Sequence, residues 1–265
     1  MEQFQNFENE SPQSQTQSRG KWLLPVSILV AGVMIAGAVV YSTGRNALQQ
    51  ETASSGKASA QRESAPPTFG SGSAENIKPI TASDHILGNP EASVKVVEFA
   101  DTECPFCKRF HLTMQQLIQE YGRNGQVAWV YRHFPLDQIH SKARKEAQAT
   151  ECANELGGNA KFWEYTDRLY EITPSNNNLD LSLLPQIAKE VGLDATKFQT
   201  CISGDDRGGK YADHIEEDYQ DAVRSGGTGT PYSVVIAPNG QKFPITGAQP
   251  YSAVKQIIDT ALTLK

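Results

Sequence analysis

Basic side chains are the minority among the charged residues of this chain. Its 265 residues include 24 lysines and arginines against 30 aspartates and glutamates, which leaves a formal net charge of −6 at pH 7. A protein that binds nucleic acid in general needs a basic surface, because contacts with the phosphate backbone dominate its affinity. The composition therefore argues against a general nucleic-acid binder, and we expect no nucleic-acid partner.

Cysteine is also scarce. The four cysteines stand at positions 104, 107, 152 and 201, too few to build a small domain held together mainly by disulfides. Apolar residues make up 38% of the chain, which is low for a sequence that folds along its whole length. Part of the chain is therefore expected to lie outside a folded core.

The first 41 residues predict a tail followed by a membrane anchor. Residues 1–21 are polar, without periodicity, and are expected to be disordered. Residues 22–41 contain no charge, and as a helix they would measure about 30 Å, the thickness of the hydrocarbon core. A cleaved signal peptide is the alternative, but its apolar region is usually shorter and its leader basic. We therefore expect a transmembrane helix, with Trp22 and Tyr41 at the two interfaces.

Residues 42–80 read as a flexible linker, because Ser, Gly, Ala, Gln and Thr dominate them and no apolar period is present. Arg19 and Lys21 abut the N-terminal edge of the predicted anchor, whereas Arg45 stands beyond its other end. This bias favours a cytoplasmic N-terminus. The expected location is the cytoplasmic membrane, crossed once, with residues 81–265 forming a domain on the extracytoplasmic side.

The remaining residues alternate between strand and helix patterns. A β-branched run at Val94–Ala100 predicts a buried strand, a helix follows Cys104, and residues 127–131 predict a second strand. Residues from about 140 to 225 show only helical patterns. Two further strands and a final helix are predicted over 232–237, over 241–245 and from Pro250. The order βαβ, helical block, ββα predicts an α/β fold with a helical insertion.

The pair Cys104-Pro105-Phe106-Cys107 stands at the start of the first helix. There, unpaired N–H groups and the helix dipole stabilise a thiolate at Cys104. A stable thiolate attacks readily and also leaves readily, which makes a disulfide easy to reduce. Cys107 lies one turn further on, where it is able to attack in return and release a trapped partner. The spacing therefore predicts a redox-active disulfide.

Two other interpretations of this pair are a zinc site and an inert structural disulfide. A zinc site built on two such cysteines usually needs a second pair of ligands, and His111 alone does not complete one. The strand that precedes the pair and the helix that follows it favour redox chemistry over both alternatives. We expect no metal and no cofactor.

Several segments resemble the DsbA-like proteins of the thioredoxin fold. The segment EFADTECPFCKRF at residues 98–110 resembles their active-site segment. The matching segments elsewhere are YRHFPL at 131–136, FWE at 162–164, GTP at 229–231 and GAQPY at 247–251. The resemblance runs in order over roughly residues 84–263. It implies a thioredoxin-like fold with a helical insertion, in a membrane-anchored thiol–disulfide oxidoreductase of the bacterial envelope.

The resemblance also implies roles for individual residues. Cys104 would be the nucleophile and Cys107 the resolving cysteine. Glu98 matches the position of a buried acid that would accept the proton of Cys107. Thr230 and Pro231 would form a cis peptide facing the disulfide. The expected substrate-binding residues are Pro105, Phe106, Thr230 and Pro231.

Two departures from the family pattern affect the expected activity. Phe106 stands where the strongest oxidants have a histidine, and a phenyl ring cannot supply a charge that stabilises the thiolate. Tyr232-Ser233 stands where a more apolar pair is expected. The expected function is exchange of the Cys104–Cys107 disulfide with cysteine pairs of reduced exported proteins, in the direction of oxidation. Isomerase or reductase activity is the alternative, and a non-catalytic membrane-tethered binding or chaperone domain is a third.

The resemblance further implies a membrane partner that reoxidises the protein, a quinone-linked enzyme of the DsbB or vitamin K epoxide reductase type.

Cys152 and Cys201 remain outside the active-site pair, and they are the right number for one bridge between two helical segments. An oxidising compartment favours that bridge, and two buried free thiols are the alternative.

Overall fold

The computed structural model describes residues 72–205 and 207–265, and they form one five-stranded sheet with helices around it. The strand order is β1-β3-β2-β4-β5, in which β2 and β3 are parallel and all other neighbours antiparallel. The strands are β1 (His85–Leu87), β2 (Val94–Ala100), β3 (Val127–His133), β4 (Tyr232–Ile236) and β5 (Lys242–Thr246).

The described residues also form six α-helices. They are α1 (Pro105–Leu117), α2 (Ala143–Ile172), α3 (Leu184–Glu190), α4 (Ala195–Cys201), α5 (Ala212–Arg224) and α6 (Tyr251–Thr263). Helix α1 connects the parallel strands β2 and β3, and it runs into a π-helical turn at Ile118–Gly122. Helices α2 to α5 lie between β3 and β4 in the chain, so the predicted order of βαβ unit, helical insertion and ββα unit is present.

The central strands are buried on both faces of the sheet, which is why β2 reads as a nearly continuous apolar run. Val96 and Ala100 belong to the core that contains α1 and α6. Val97 and Phe99 belong to the opposite core, which contains residues of α5. Glu98 shares the α1 face of the strand and is nevertheless almost completely buried.

Helix α2 consists of two helical segments joined at a kink. The kink lies at Gly158, which has φ 76° and ψ −177° and is therefore not helical. Glycine adopts a positive φ without steric penalty, which permits the break.

The helical insertion has an apolar core of its own, to which Leu169, Ile187 and Phe198 contribute. A disulfide between Cys152 and Cys201 joins α2 to α4 inside this core. The two cysteines are 49 residues apart, and closing a loop of that length stabilises the fold by about 4 kcal/mol in the chain-entropy account.

The folded region begins earlier than the sequence suggests. Ile77 is buried, and the N–H group of Lys78 donates to the Asp221 carboxylate over 2.9 Å. Residues 72–80 therefore pack on the domain, although the predicted linker extends to residue 80.

Strand β1 was also not predicted, because three residues are too short to show an alternating pattern.

The predicted tail over residues 1–21, the predicted anchor over residues 22–41 and most of the predicted linker lie outside the described residues. Among the helices of residues 72–205 and 207–265, none combines the length and the apolar character needed to span a bilayer.

Candidate active site

The cysteine pair lies where strand β2 ends and helix α1 begins. Cys104 is the residue before the helix and has an extended backbone, and Pro105 is the first helical residue. Proline suits this position because its fixed φ is helical and its missing N–H group would have no partner there. Cys107 then lies one turn into the helix, so both sulfurs are at the same end of α1.

The two sulfurs differ in their access to solvent. Cys104 is 4% exposed and Cys107 is 0% exposed. Between them, Phe106 is 53% exposed, and the Arg109 guanidinium lies 5.1 Å from the centre of its ring. A partner molecule is therefore able to approach Cys104 and Phe106, whereas Cys107 is covered.

The loop before β4 lies against Cys104. The peptide bond between Thr230 and Pro231 is cis. The thiol of Cys104 donates to the Thr230 carbonyl oxygen over 3.4 Å. Because β4 pairs directly with β2, the sheet holds this loop beside the cysteine pair.

Hydrogen bonding favours the thiolate of Cys104. The hydrogen bond with the Cys107 thiol contributes most to lowering the pKa of Cys104. Further hydrogen bonds come from Thr230 and from the backbone of Cys107 and Phe106, and the resulting pKa of Cys104 is about 6. Burial acts in the opposite direction and is outweighed. In the reduced protein Cys104 is therefore largely a thiolate at neutral pH.

Cys107 has the opposite properties. Burial raises the pKa of its thiol well above the ordinary value, and the neighbouring charge of Cys104 raises that pKa further. The Asp101 backbone N–H donates to the Cys107 sulfur over 3.4 Å. Cys107 is therefore a protonated thiol in the reduced protein, and it needs a base before it is able to attack.

Glu98 is a buried acid on strand β2, which leads to the pair. Burial raises the pKa of Glu98 to about 8. The charges of Glu98 and Cys107 influence each other, since the Glu98 carboxylate raises the pKa of Cys107. A carboxyl group with a pKa near neutrality is able both to accept and to return a proton.

Asp101 organises the loop between β2 and α1. One of its oxygens accepts from the Glu103 N–H, and the other accepts from His140 Nδ1 and from the Leu136 N–H, each over 2.8 Å. The hydrogen bond with Asp101 raises the pKa of His140, and the charge of Cys104 raises it further. His140 is thus a buried imidazole that favours its charged form near the nucleophile.

Another buried acid lies next to the nucleophile. Glu103 immediately precedes Cys104, and it is completely buried in the neighbourhood of Glu146 of α2. Burial raises the pKa of Glu146 to about 10, and the neighbouring carboxyl group of Glu103 raises it further. Glu103 Oε2 also accepts from the Asn177 N–H, which ties the active-site loop to the end of α2.

The structure therefore brings most of the predicted site residues to one place. Cys104, Cys107, Pro105 and Phe106 share the first turn of α1, and the loop with Thr230 and Pro231 faces them. Glu98 lies in the strand beneath. The bridge between Cys152 and Cys201 is separate, within the helical insertion.

Four polar residues around the pair were not predicted from the sequence. Asp101 and Glu103 stand in the active-site segment without a recognisable motif, and His140 and Glu146 come from the start of the insertion. The only sequence signal for His140 is its position shortly after the end of β3. Nothing in the chain shows that Glu146 points at Glu103, because that contact depends on how α2 packs.

Sequence and structure comparisons agree on the fold. The sequence model described as thioredoxin matches residues 81–260. Among solved structures, α-DsbA1 of Wolbachia pipientis is 24% identical with a TM-score of 0.60, and the match covers 72% of this chain and 96% of that chain. DsbA2 of Pseudomonas aeruginosa is 26% identical with a TM-score of 0.56, covering 69% and 96%.

The curated relatives are much longer proteins. The Na(+)/H(+) antiporter NhaA 3 of Salinispora tropica is 36% identical over 152 residues, which are 56% of this chain and 21% of the relative. The chain thus spans about a fifth of the length of the curated relatives it matches.

These comparisons confirm the predicted thioredoxin-like α/β fold with a helical insertion, in the arrangement of DsbA-type proteins. The matching family region covers more than half of the chain and contains the cysteine pair, the cis-proline loop and the insertion. The chain therefore belongs to the thioredoxin family.

Proposed function

We propose that the protein is a thiol–disulfide oxidoreductase that oxidises cysteine pairs of exported proteins. The observation that carries this proposal is the difference between the two sulfurs. Cys104 lies at a helix N-terminus against the Thr230 carbonyl and has a lowered pKa, whereas Cys107 is completely buried. The likeness to DsbA2 of Pseudomonas aeruginosa supports the same chemistry.

The reaction moves two electrons from substrate to protein. A substrate thiolate attacks Cys104 of the oxidised pair, forming a mixed disulfide, and Cys107 leaves and takes up a proton. A second substrate thiolate then attacks the substrate sulfur of the mixed disulfide, and Cys104 leaves as a thiolate. The substrate now holds a disulfide and the protein a dithiol. Glu98 is the group that exchanges the proton with Cys107.

A lowered pKa at Cys104 favours the oxidising direction. A thiolate that is stable in the reduced protein stabilises the reduced form, and this raises the reduction potential. Phe106 does not supply the charge that a histidine would supply at its position. His140 is held by Asp101, and this hydrogen bond and the charge of Cys104 both raise the pKa of His140, so an imidazolium at this position would stabilise the thiolate instead.

The surface around the pair suits extended or unfolded chains. Phe106 is 53% exposed and Ile139, next to His140, is 62% exposed. Apolar side chains exposed next to a reactive sulfur offer contacts to many sequences and favour none strongly. In this proposal Pro105, Thr230 and Pro231 complete the surface that holds the substrate backbone.

The proposed location follows from the redox chemistry and the sequence pattern. Residues 22–41 would anchor the chain in the cytoplasmic membrane, and the domain would face the extracytoplasmic side. There a quinone-linked membrane enzyme of the DsbB or vitamin K epoxide reductase type would reoxidise the pair. The Cys152–Cys201 disulfide suits this compartment, since structural disulfides persist in oxidising environments.

The direction of exchange is tested by the reduction potential of the Cys104–Cys107 pair. A value near −120 mV, with rapid oxidation of a reduced two-cysteine peptide, is expected for an oxidase. A value near −270 mV would assign the protein to the reductants. Failure to exchange with any peptide, with the pair intact, would favour the non-catalytic binding or chaperone domain.

A further inference from the structure

Three of the chain's five histidines converge on one carboxylate, away from the cysteine pair. Glu151 Oε1 lies 2.7 Å from His85 Nε2, 2.8 Å from His133 Nε2 and 3.4 Å from His214 Nε2. The four residues come from four elements, β1, β3, α2 and α5. They are distant in sequence, so only the fold brings them together.

Two of the three imidazoles hydrogen bond to Glu151. The nitrogens of His85 and His133 use the two lone pairs of Glu151 Oε1, whereas His214 Nε2 lies 3.4 Å from the same oxygen as an ion-pair partner. His85, His133 and Glu151 are at most 3% exposed, so water cannot readily take the place of a partner. A cation beside Glu151 would accept lone pairs from the carboxylate and from the neighbouring imidazoles.

We propose that His85, His214 and Glu151 form a binding site for a divalent transition metal, with zinc as the reference ion. Imidazole nitrogen with one carboxylate is a donor set suited to such ions, whereas calcium and magnesium prefer oxygen ligands. Ligand atoms of His85, Glu151 and His214 all lie within 4.8 Å of one another. His133 lies beside these three residues and hydrogen bonds to Glu151.

Metal binding would require small shifts of these three ligands. Zinc bonds of about 2.0–2.1 Å place neighbouring ligand atoms about 3.3 Å apart. The 3.4 Å separation of His214 from Glu151 has this value already, whereas the 2.7 Å separation of His85 from Glu151 would widen by about half an ångström. The two imidazole nitrogens, which lie within 4.8 Å of each other, would move to the same spacing, and water would complete the coordination.

The groups around the cluster suit a metal site. The ring of Phe162 stacks on His85, with 3.5 Å between the centroids and 8° between the planes, and this fixes the imidazole. Asp218 accepts from the His133 backbone N–H over 3.0 Å, and its carboxylate lies 3.9 Å from His214 Nε2, so a second negative charge stands beside the candidate ligands.

The site would hold the helical insertion to the sheet. It links the short strand β1 to α2 and α5, which belong to the insertion. Metal binding to such a set of elements stabilises the folded state, because the unfolded chain does not preform the site. The His214 side chain is 37% exposed and provides the entry path.

The test uses the full-length chain in detergent, treated with a chelator and with the Cys104–Cys107 pair oxidised, so that the active-site thiols cannot bind metal. Zinc is titrated by calorimetry, bound metal is counted by elemental analysis, and cobalt(II) is added as a spectroscopic probe. We expect one ion per chain, a higher Tm with zinc, and cobalt bands typical of nitrogen and oxygen ligands without a sulfur charge-transfer band.

Variants separate this site from any other. His85→Gln and His214→Gln should each weaken zinc binding at least tenfold and abolish the rise in Tm. His214 is partly exposed, so its variant is expected to fold. His111→Gln is the matched control, because His111 is a buried histidine paired with Asp167, and it should bind zinc normally. No zinc uptake by the unchanged chain, or uptake by the two cluster variants as tight as that of the unchanged chain, would overturn the proposal.

Discussion

Glu98 and Ser233 occupy facing positions on the neighbouring strands β2 and β4, and each has a buried oxygen without a hydrogen-bond partner among the described residues. Unpaired polar atoms in a core are destabilising, so their presence requires a reason. The reason we infer is proton transfer, because an unpaired carboxyl oxygen is free to take the proton of Cys107. The serine keeps this part of the core polar where an apolar residue was expected.

Glu98→Gln should change how stability depends on pH. Burial raises the pKa of Glu98 to about 8, above the ordinary 4.5, so the folded protein binds a proton that the unfolded chain releases. Stability from this group is complete below pH 4.5 and is lost as pH rises towards 8. The variant should lack this loss, which is on the order of a few kcal/mol. Denaturant unfolding across this pH range measures it.

The same substitution should slow the chemistry. When the reduced protein attacks a peptide disulfide through Cys104, Cys107 must lose its proton before it resolves the mixed disulfide. This species should therefore persist longer in Glu98→Gln, while the attack by Cys104 is largely retained. Ser233→Ala is the control, because it leaves the carboxyl group in place. Stopped-flow exchange with a model peptide measures both steps, and equal slowing in both variants would contradict the role of Glu98.

Cys104 should react as a thiolate at unusually low pH. Its pKa is lowered to about 6, so the reduced protein should be alkylated by iodoacetamide with a midpoint near pH 6, and absorbance of the thiolate at 240 nm should follow the same curve. Because the pKa of Cys104 is lower in the folded protein than in the unfolded chain, ionisation of this thiol stabilises the reduced fold. This stabilisation is complete above pH 9 and is lost as the pH falls through 6. A midpoint near 9 would remove the argument for an oxidase.

The two cysteines should differ in the adducts they trap. Cys107→Ala leaves Cys104 without a resolving partner and should accumulate mixed disulfides with exported proteins. Cys104→Ala should accumulate few, since Cys107 is 0% exposed. Non-reducing gels of cells with each variant show the result. Similar adducts from both variants would mean that the roles of the sulfurs are reversed.

The βαβ unit and the cysteine pair could be predicted because their signals are local. The apolar run of β2, the proline at the start of α1 and the spacing of Cys104 and Cys107 each depend on neighbouring residues. The position of Thr230 and Pro231 beside Cys104 came from resemblance, since no local pattern brings residues 126 positions apart into contact.

The groups that surround the pair could not be predicted for the same reason. Glu146 and His140 reach the active-site loop through the packing of α2 and of the segment before it. His85, Glu151 and His214 form a cluster only after three elements, β1, α2 and α5, have assembled, and no spacing in the chain resembles a metal motif. Contacts of this kind depend on tertiary structure, which a single sequence does not display.

His140→Asn should lower the oxidising strength. The imidazole is held by Asp101 over 2.8 Å and favours its charged form, which stabilises the nearby Cys104 thiolate. Asparagine is able to keep a hydrogen bond but carries no charge. The variant should therefore raise the pKa of Cys104 and lower the reduction potential, with little change in fold. His111→Asn, which alters a histidine paired with Asp167, should leave both quantities unchanged.

Removing the bridge in the insertion should affect stability and leave the redox site intact. The double variant Cys152→Ala, Cys201→Ala loses the closure of a 49-residue separation and should lose about 3–4 kcal/mol of unfolding free energy. The core around Phe198 and Leu169 remains, so the domain should still fold. The reduction potential of Cys104–Cys107 should not change, because the bridge lies between α2 and α4 and contacts neither cysteine. Urea unfolding together with a glutathione redox titration tests both statements. A shifted potential in the variant would show that the insertion's disulfide is coupled to the active site.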